Sequence, residues 1–372
     1  TAISAGLNDI AITKIDGRGA VQWHRLLGGA NQDEAYAVRQ TPDGGYLVLG
    51  EADTGGPTGS DLYLCKLSSA GAVVWQKTFG GSLTDRGYSL ELTPDGGFVV
   101  AGSGGSFPRL EDYWVTKFNA NGDPQWSKLY GGSSADRPFQ IRRTLDGGFV
   151  VAGYSYAFGG GTDGTLWIVK LASNGDLQWQ RSYTVGRFFP RGIAQTSDGG
   201  YAALVYADDL GAGSTDVLVL KLNADGSVAW SRTYGGTRPD IPGAIIATND
   251  GNILFSGTTE SFSRGSYDLW LVKLNMTGAI VWQRTYGSAL TDGSAAGDAL
   301  REAPGDSLVV GGYTSGWSAG GADDWVLRLF SDGTLDEDNP LVGTSSATIK
   351  AHSLTGLPTA ATALTASYVG GS

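Results

Sequence analysis

The sequence has few of the residues that form disulfide bonds and metal sites, and it lacks long apolar runs that could span a membrane. Its 372 residues include one cysteine, one methionine and two histidines. A single cysteine excludes an intrachain disulfide, and two isolated histidines do not form the clustered ligand set that zinc prefers. No apolar run approaches the ~20 residues that a membrane helix needs. Packing and hydrogen bonds must therefore hold the fold, and we expect no membrane insertion.

Motifs for nucleophilic, phosphate-binding and zinc chemistry are also missing. The sequence contains no G-x-S-x-G, no P-loop and no H-E-x-x-H. His24 and His352 stand alone, and Cys65 lies in an apolar stretch that is typical of a buried small hydrophobe. We therefore predict no catalytic, cofactor-binding or metal-binding residue, and no enzyme activity.

Acidic side chains outnumber basic ones by 37 to 26, giving a formal net charge of −11. Such a surface repels phosphate backbones, so nucleic acid is not expected as a partner. Acidic pairs occur in or beside glycine-rich loops at Asp208-Asp209 and Asp323-Asp324. Oxygen-rich loops hold calcium in some proteins, but the EF-hand pattern with its final glutamate is absent. We therefore predict no cofactor, and bound calcium is the one ion that the sequence leaves open.

What the sequence does contain is a repeat of about 52 residues. A tryptophan, the aspartate of a D-G-G turn, and a cation at the end of an apolar run all return in one register. The tryptophans are Trp23, Trp75, Trp126, Trp179, Trp230 and Trp282; the aspartates are Asp43, Asp95, Asp146, Asp198 and Asp250; the cations are Lys14, Lys66, Lys117, Lys170, Lys221, Lys273 and Arg328.

Each unit contains four short apolar runs bounded by turn residues. In the second copy these runs predict strands at 61–67, Val73–Phe79, Gly87–Leu92 and Phe98–Gly102. No window has ten or more residues of helical period. A unit of about 50 residues with four strands fits a propeller blade better than the shorter coil of a β-solenoid. The sequence therefore predicts an all-β propeller of four-stranded antiparallel blades, with each tryptophan wedged between adjacent sheets.

The blade count depends on how the chain ends. Seven lysine-type strands but only six tryptophan strands are visible, so we predict seven blades, with six as the alternative. Residues 1–340 hold the repeats, and residues 341–372 are rich in Ser, Thr and Ala. This segment is either a flexible or O-glycosylated stalk, or a source of strands. As strands, it would complete the last blade or pair with a neighbouring subunit and so build a filament.

The arrangement KL-x3-G-x3-W-(Q/S)-(R/K)-x-(Y/F)-G-G, followed by T-x-DGG-(Y/F), resembles a repeat of secreted and cell-surface proteins of bacteria and archaea. The resemblance covers about residues 8–335 and implies a propeller in an extracellular location. A fainter similarity to quinoprotein propellers lies in the Gly-x3-Trp element, such as Gly71 to Trp75. The vicinal cysteine pair of many quinoprotein dehydrogenases is impossible with one cysteine.

Some residues are candidates for special roles. Carboxylates recur after each repeat tryptophan and are expected to cap turns or to pair with the strand lysines: Asp33, Asp85, Asp136, Asp240 and Asp292. The fourth unit departs from this pattern at Arg187-Phe188-Phe189-Pro190, which is either a ligand contact or drift within the repeat. Aromatic residues in the loops between units either bind sugars or anchor their loops by packing on the sheets. They are Phe107, Tyr156, Phe158, Phe262 and Trp317.

The function expected from these features is that of a non-catalytic structural or adhesion module outside the cell. The chain opens at Thr1, as a secreted protein does after signal-peptide removal, and a trimmed chain would look the same. The expected partner is a protein or glycan surface. Two alternatives are a self-assembling filament subunit joined through residues 341–372, and a lactonase- or quinoprotein-like propeller enzyme.

Overall fold

The computed structural model describes residues 9–29, 31–53, 59–106, 111–158, 164–184, 188–208, 210–295, 297–316 and 322–335, and five short strands between residues 342 and 371. Every regular element named in it is a β-strand. Within these ranges, no helix has the length and apolar character needed to cross a membrane.

The strands follow one another in blade order. A hairpin of β1 (Ile10–Ile15) and β2 (Val21–Leu27) comes first and forms its own two-stranded sheet. The first blade contains β3 (Asp33–Gln40), β4 (Tyr46–Ala52), β5 (Asp61–Leu67) and β6 (Val73–Phe79); the second contains β7 (Asp85–Leu92), β8 (Phe98–Gly104), β9 (Asp112–Phe118) and β10 (Pro124–Tyr130); the third contains β11 (Asp136–Arg143), β12 (Phe149–Ser155), β13 (Thr165–Leu171) and β14 (Leu177–Tyr183).

The later blades keep this order until the last one. The fourth contains β15 (Phe188–Gln195), β16 (Tyr201–Asp208), β17 (Thr215–Leu222) and β18 (Val228–Gly235); the fifth contains β19 (Asp240–Ala247), β20 (Ile253–Thr259), β21 (Asp268–Leu274) and β22 (Ile280–Tyr286). In the last blade the first strand is split into β23 (Asp292–Ser294) and β24 (Leu300–Ala303), followed by β25 (Ser307–Thr314) and β26 (Asp323–Phe330).

The described residues thus form a β-propeller with six blades, not the predicted seven. The sequence repeat and the structural blade are out of phase, because the lysine strand is the third strand of its blade. The first copy of that strand, β1, lies in the separate hairpin, whereas the seventh copy, β26, joins the sixth blade. Seven copies of one strand therefore do not require seven blades.

Two compact units make up the chain. One comprises residues 1–151, 170–178 and 360–372, and the other comprises residues 152–169 and 179–359. In both units third strands such as β9 and β21 are buried along their whole length, and β5 is buried after its first residue. These strands have sheets on both faces, which explains why their sequences are nearly continuous apolar runs.

Each repeat tryptophan packs against a glycine in the turn that follows the third strand of the next blade. A Cβ atom built on Gly122 would lie 2.8 Å from the Trp75 ring, and one on Gly175 would lie 2.8 Å from the Trp126 ring. Both glycines also have positive φ, which favours glycine. The same contact is made by Trp23 with Gly71, Trp179 with Gly226, Trp230 with Gly278 and Trp282 with Gly333. The prediction that the tryptophans pack between blades is confirmed.

Other residues of the strand that carries the tryptophan also contact the same turn. The Tyr183 hydroxyl donates to the Gly226 carbonyl oxygen at 2.6 Å, and that of Tyr234 donates to Gly278 at 2.8 Å. The cation two residues after the tryptophan reaches the turn as well. Lys128 pairs with Asp176 at 2.6 Å, and Arg181 Nε donates to the Asp225 carbonyl oxygen at 2.9 Å. We call these contacts, together with the tryptophan on its glycine, the blade lock.

Five short strands of the C-terminal segment pair antiparallel with the fourth strands of the first five blades. They are β27 (Val342–Thr344) on β22, β28 (Thr348–His352) on β18, β29 (Gly356–Pro358) on β14, β30 (Leu364–Thr365) on β10 and β31 (Gly370–Gly371) on β6. This pairing differs from the predicted completion of the last blade. Each fourth strand has an outer edge of unpaired backbone groups, so all five edges accept a strand.

We expect Gly122→Ala to destabilise the protein by about 1–3 kcal/mol more than Gly147→Ala does. Both glycines have positive φ, so the backbone strain is shared, but a Cβ on Gly147 meets nothing within 4 Å. The excess is the steric cost of pushing Trp75 away. Denaturant unfolding of both variants measures it, and equal losses would contradict the blade lock.

Candidate functional site

The strand lysines form buried ion pairs with the aspartates of the D-G-G turns. Lys170 Nζ lies 2.8 Å from an Asp146 carboxylate oxygen, with 4% of the lysine side chain exposed and 51% of the aspartate. The ammonium group also donates to the Leu171 carbonyl oxygen at 3.1 Å. Equivalent pairs are Lys66–Asp43, Lys117–Asp95, Lys221–Asp198 and Lys273–Asp250.

These turn aspartates are held as anions. Although burial opposes it, hydrogen bonds from Lys170, Thr144 and the Gly148 amide lower the pKa of Asp146 to about 2. The lysines are therefore not free to act as bases or nucleophiles, because each is committed to a turn. The D-G-G aspartates, and not the carboxylates that follow each tryptophan, therefore neutralise the strand lysines.

We expect Asp146→Asn to cost about 2 kcal/mol of stability, since it leaves the buried Lys170 ammonium without a counter-charge. The half-exposed position of Asp146 keeps the cost below that of a fully buried pair. Asp123→Asn is the matched control, because Asp123 pairs with Lys77 at the surface and its side chain is 58% exposed. Because the exposed Lys77–Asp123 contact belongs to the blade lock, Asp123→Asn should cost about 1 kcal/mol or less, and denaturant unfolding should show a larger loss for Asp146→Asn; equal losses in both variants would contradict the structural role of the buried pair.

The carboxylates that follow each tryptophan cap turns, as one of the two expectations held. Asp85 Oδ2 accepts from the Gly81 amide at 2.8 Å and from the Ser106 hydroxyl at 2.6 Å. The other caps are made by Asp33 to Gly29, Asp136 to Gly132, Asp240 to Gly236 and Asp292 to Ser288. All five aspartates are buried. Their recurrence is therefore explained by turn geometry.

A second aspartate, at the start of the third strand, lies beside each cap. A Cβ built on Gly80 would lie 2.0 Å from Asp61 Oδ1 and 2.9 Å from Asp85 Oδ2, so the two carboxylates face the same small space. Burial, and then the neighbouring Asp85, raise the pKa of Asp61 to about 6. Asp268 beside Asp292 has its pKa raised to about 6, also mainly by burial.

These raised values predict how stability depends on pH. Asp61 and Asp268 bind protons near pH 6 in the folded state, but only near pH 4 when unfolded. The free energy of unfolding should therefore fall as pH rises from about 4 to about 6. Below that window, protonation of the D-G-G aspartates removes stability. In the double variant Asp61→Asn, Asp268→Asn, the melting temperature should change less between pH 4 and 6 than it does in the unmodified protein. An unchanged pH dependence would contradict the raised pKa values of these two aspartates.

The first strands of neighbouring blades lie against each other within each unit, as β3 does with β7 and β15 with β19. In the first unit this surface carries charges. Glu34 stands opposite Glu51 across β3 and β4, and Arg86 Nε of the next blade donates to Glu51 at 2.6 Å. Further along these strands, Glu91 accepts from Arg39 at 3.3 Å and from Arg142 at 2.9 Å.

In the fourth blade, which belongs to the second unit, the same repeat positions carry aromatic residues. Phe189 stands where Glu34 and Arg86 stand in earlier blades, and its cross-strand partner is Tyr206. Their ring centroids are 6.2 Å apart, and Phe189 is 52% exposed. The departure noticed at residues 187–190 therefore builds a surface feature; Arg187 itself lies outside the described residues. The aspartate pair is lost here too, because Thr165 and Phe188 occupy its two positions.

Of the described loop aromatics, one is exposed and two pack on the sheets, while binding of sugars stays a prediction. Tyr156 is 44% exposed and lies edge-on to Tyr154 at 5.4 Å. Phe158 instead packs on Trp167 at 5.1 Å, and Phe262 packs on Trp270 at 5.5 Å, so both pin their loops to the sheets. Phe107 and Trp317 lie outside the described residues.

The remaining sequence candidates are isolated. Cys65 is fully buried, and burial raises the pKa of its thiol. His24 lies at the surface with Nδ1 at 2.9 Å from the Thr13 hydroxyl, and the side chain of His352 is outside the described residues. Asp208 accepts from Thr215 at 3.0 Å, Asp209 is not described, and Asp323-Asp324 begin β26. The described residues contain no group of three or more metal-ligating side chains; the absence of a cofactor stays a prediction.

A cavity of about 340 Å³ lies beside Trp75, between the first and second blades. It is lined by blade-packing residues, including Leu47, Phe98 and the Lys66–Asp43 pair. Because these side chains already serve the repeat contacts, the cavity is part of the blade interface.

Two family models match parts of the chain. One, described as outer membrane protein assembly factor BamB, matches residues 8–188, just under half of the chain. The other, described as a domain of unknown function (DUF5122) beta-propeller, matches residues 306–338. Together they support a propeller family. The narrower family of secreted and cell-surface repeat proteins stays a prediction.

Individual proteins show weaker similarity. The regulatory protein FlaEY of Caulobacter vibrioides is 29% identical over 120 residues, which are 28% of this chain and only 13% of that protein. A solved protein of unknown function from Bacteroides caccae has 14% identity and a TM-score of 0.46, covering 78% of this chain and 94% of its own. Drosophila Plexin A in complex with Semaphorin 1b has 10% identity and a TM-score of 0.36, covering 66% and 55%. At these TM-scores the structural likenesses carry no argument.

Proposed function

We propose that this chain is a non-catalytic structural propeller at the cell surface or outside the cell, which attaches to a protein or glycan surface. The observation that carries the proposal is the commitment of the repeated ionisable residues to structure. The strand lysines neutralise turn aspartates, and the aspartates after each tryptophan cap turns. A rigid frame of this kind presents variable loops for recognition.

The charge and the partial family match support the same proposal. A net charge of −11 keeps a protein soluble and apart from nucleic acid. The family model that matches residues 8–188 is described as outer membrane protein assembly factor BamB, which supports a propeller at the cell envelope. The match over residues 8–188 also favours a quinoprotein-like propeller. The enzyme alternative has less support, because the repeated ionisable side chains are engaged in structural contacts.

We expect the protein to be accessible on intact cells. Antibody labelling and protease shaving of unbroken cells should detect and remove it, with a cytoplasmic enzyme as the control that stays protected. Purified protein should show no turnover of lactones, nor of alcohols in the presence of a quinone cofactor. Confinement to the cytoplasm would contradict the location, and measurable turnover would contradict the non-catalytic role.

A second function, that of a filament subunit joined through residues 341–372, is favoured by the edge pairing. Five blades each accept a short strand on the outer edge, and β28 pairs along five residues, from Ser231 to Gly235. Backbone pairing of this kind is the same whether the strand comes from the same chain or from another. The C-terminal segment of one subunit would then lie on the blades of its neighbour.

We expect a chain that ends at residue 340 to remain folded but to lose self-assembly. Light scattering and electron microscopy should show filaments for the full chain and monomers for the shortened one. A synthetic peptide of residues 341–372 should bind the shortened chain, because its edges are open, and should not bind the full chain. Strictly monomeric full-length protein would rule out the filament.

A further inference from the structure

The second unit has an aromatic surface that the repeat does not require. We define it as Phe189, Tyr206, Tyr267 and Tyr313. Cross-strand positions that hold Glu34 with Glu51 in the first blade hold Phe189 with Tyr206 in the fourth. In the last blade the same positions hold Gly293 with Tyr313. Blade packing does not explain the change, because Phe189 and Tyr313 are 52% and 37% exposed.

In the last blade a glycine, Gly293, leaves space for the ring of Tyr313. A Cβ atom built on Gly293 would lie 2.4 Å from Cζ of Tyr313, so the ring lies directly over the glycine backbone. The phenol groups of Tyr313 and Tyr206 both act on Tyr267 and help to raise its pKa, after burial and Glu260. Tyr206 and Tyr313 are therefore close enough to Tyr267 to interact with it electrostatically, and the Phe189 ring lies 6.2 Å from that of Tyr206.

Hydrogen-bonding groups border the aromatic rings. The Tyr206 hydroxyl lies 3.2 Å from Thr215 Oγ1, and Glu260 accepts from Arg238 at 3.4 Å. Arg191, two residues after Phe189, interacts electrostatically with Tyr206, and its buried Nε has no hydrogen-bond partner among the described residues.

Flat apolar rings bordered by hydroxyl, carboxylate and guanidinium groups suit one class of ligand. A pyranose ring with equatorial hydroxyls presents C–H groups to an aromatic face and oxygens to its edge. The net charge of −11 repels anionic polymers. From this geometry we infer that the aromatic surface binds a neutral oligosaccharide whose pyranose rings carry equatorial hydroxyls, as glucose and N-acetylglucosamine do. This names the site and ligand class for the surface attachment proposed above, on which it rests.

The test is calorimetric titration of the full chain with cellohexaose, chitohexaose and, as an anionic probe, hexagalacturonate. We expect binding of at least one neutral hexamer and none of hexagalacturonate. Phe189→Ala should weaken that binding about tenfold, the value of one aromatic contact. Phe330→Ala is the matched control, since Phe330 is 51% exposed on β26 and lies outside the aromatic surface; its affinity should be unchanged.

Phe189→Tyr keeps the ring and should retain binding, which guards against a misfolded alanine variant. The inference is overturned if no neutral hexamer binds at millimolar concentration, if hexagalacturonate binds equally well, or if Phe189→Ala and Phe330→Ala have the same effect. Surface accessibility on intact cells is independent of Phe189. Its loss would count against the proposed function, whereas loss of sugar binding alone would count against this site.

Discussion

The blade lock is the contact on which the rest of the fold depends. A tryptophan on one fourth strand packs over a positive-φ glycine in the next blade, as Trp126 does over Gly175. Only glycine meets both demands, because any Cβ would enter the indole ring and the backbone conformation disfavours side chains. The blade lock holds a blade against the next one. Because the first strand of the next blade is part of the same sheet, the lock also constrains where that strand lies. It thereby determines which side chains meet along those strands.

Function is more readily sought where the repeat is broken than where it is kept. Residues such as Lys170, Asp146 and Asp85 recur in several blades, and their charged groups form ion pairs and hydrogen bonds that hold the turns. Phe189 breaks the repeat, replaces charge with an exposed ring, and removes the aspartate pair at the same place. A rigid frame tolerates such a change because the neighbouring locks hold the backbone, so recognition can vary without loss of the fold.

Strand positions were predictable from the sequence because turns and apolar runs are local signals. The predicted strands at 61–67 and Val73–Phe79 agree with β5 and β6, and Gly87–Leu92 fell only two residues short of β7. The structural use of the tryptophans was predictable as well. The partner of each tryptophan was not, since Gly71 and Trp75 appear as one element in sequence, yet Gly71 receives Trp23 of the preceding hairpin.

By itself the sequence determined an all-β propeller, its repeat length and the residues that recur, because these depend on period and local turn chemistry. Tertiary structure decided the blade number, the partners of the lysines, and the position of the C-terminal strands. It also placed Phe189 beside Tyr206, and brought Tyr206 and Tyr313, which lie far apart in the sequence, within electrostatic reach of Tyr267. The physical reason is that strand phase, ion pairing and edge pairing are set between blades, where sequence separation gives no information about distance.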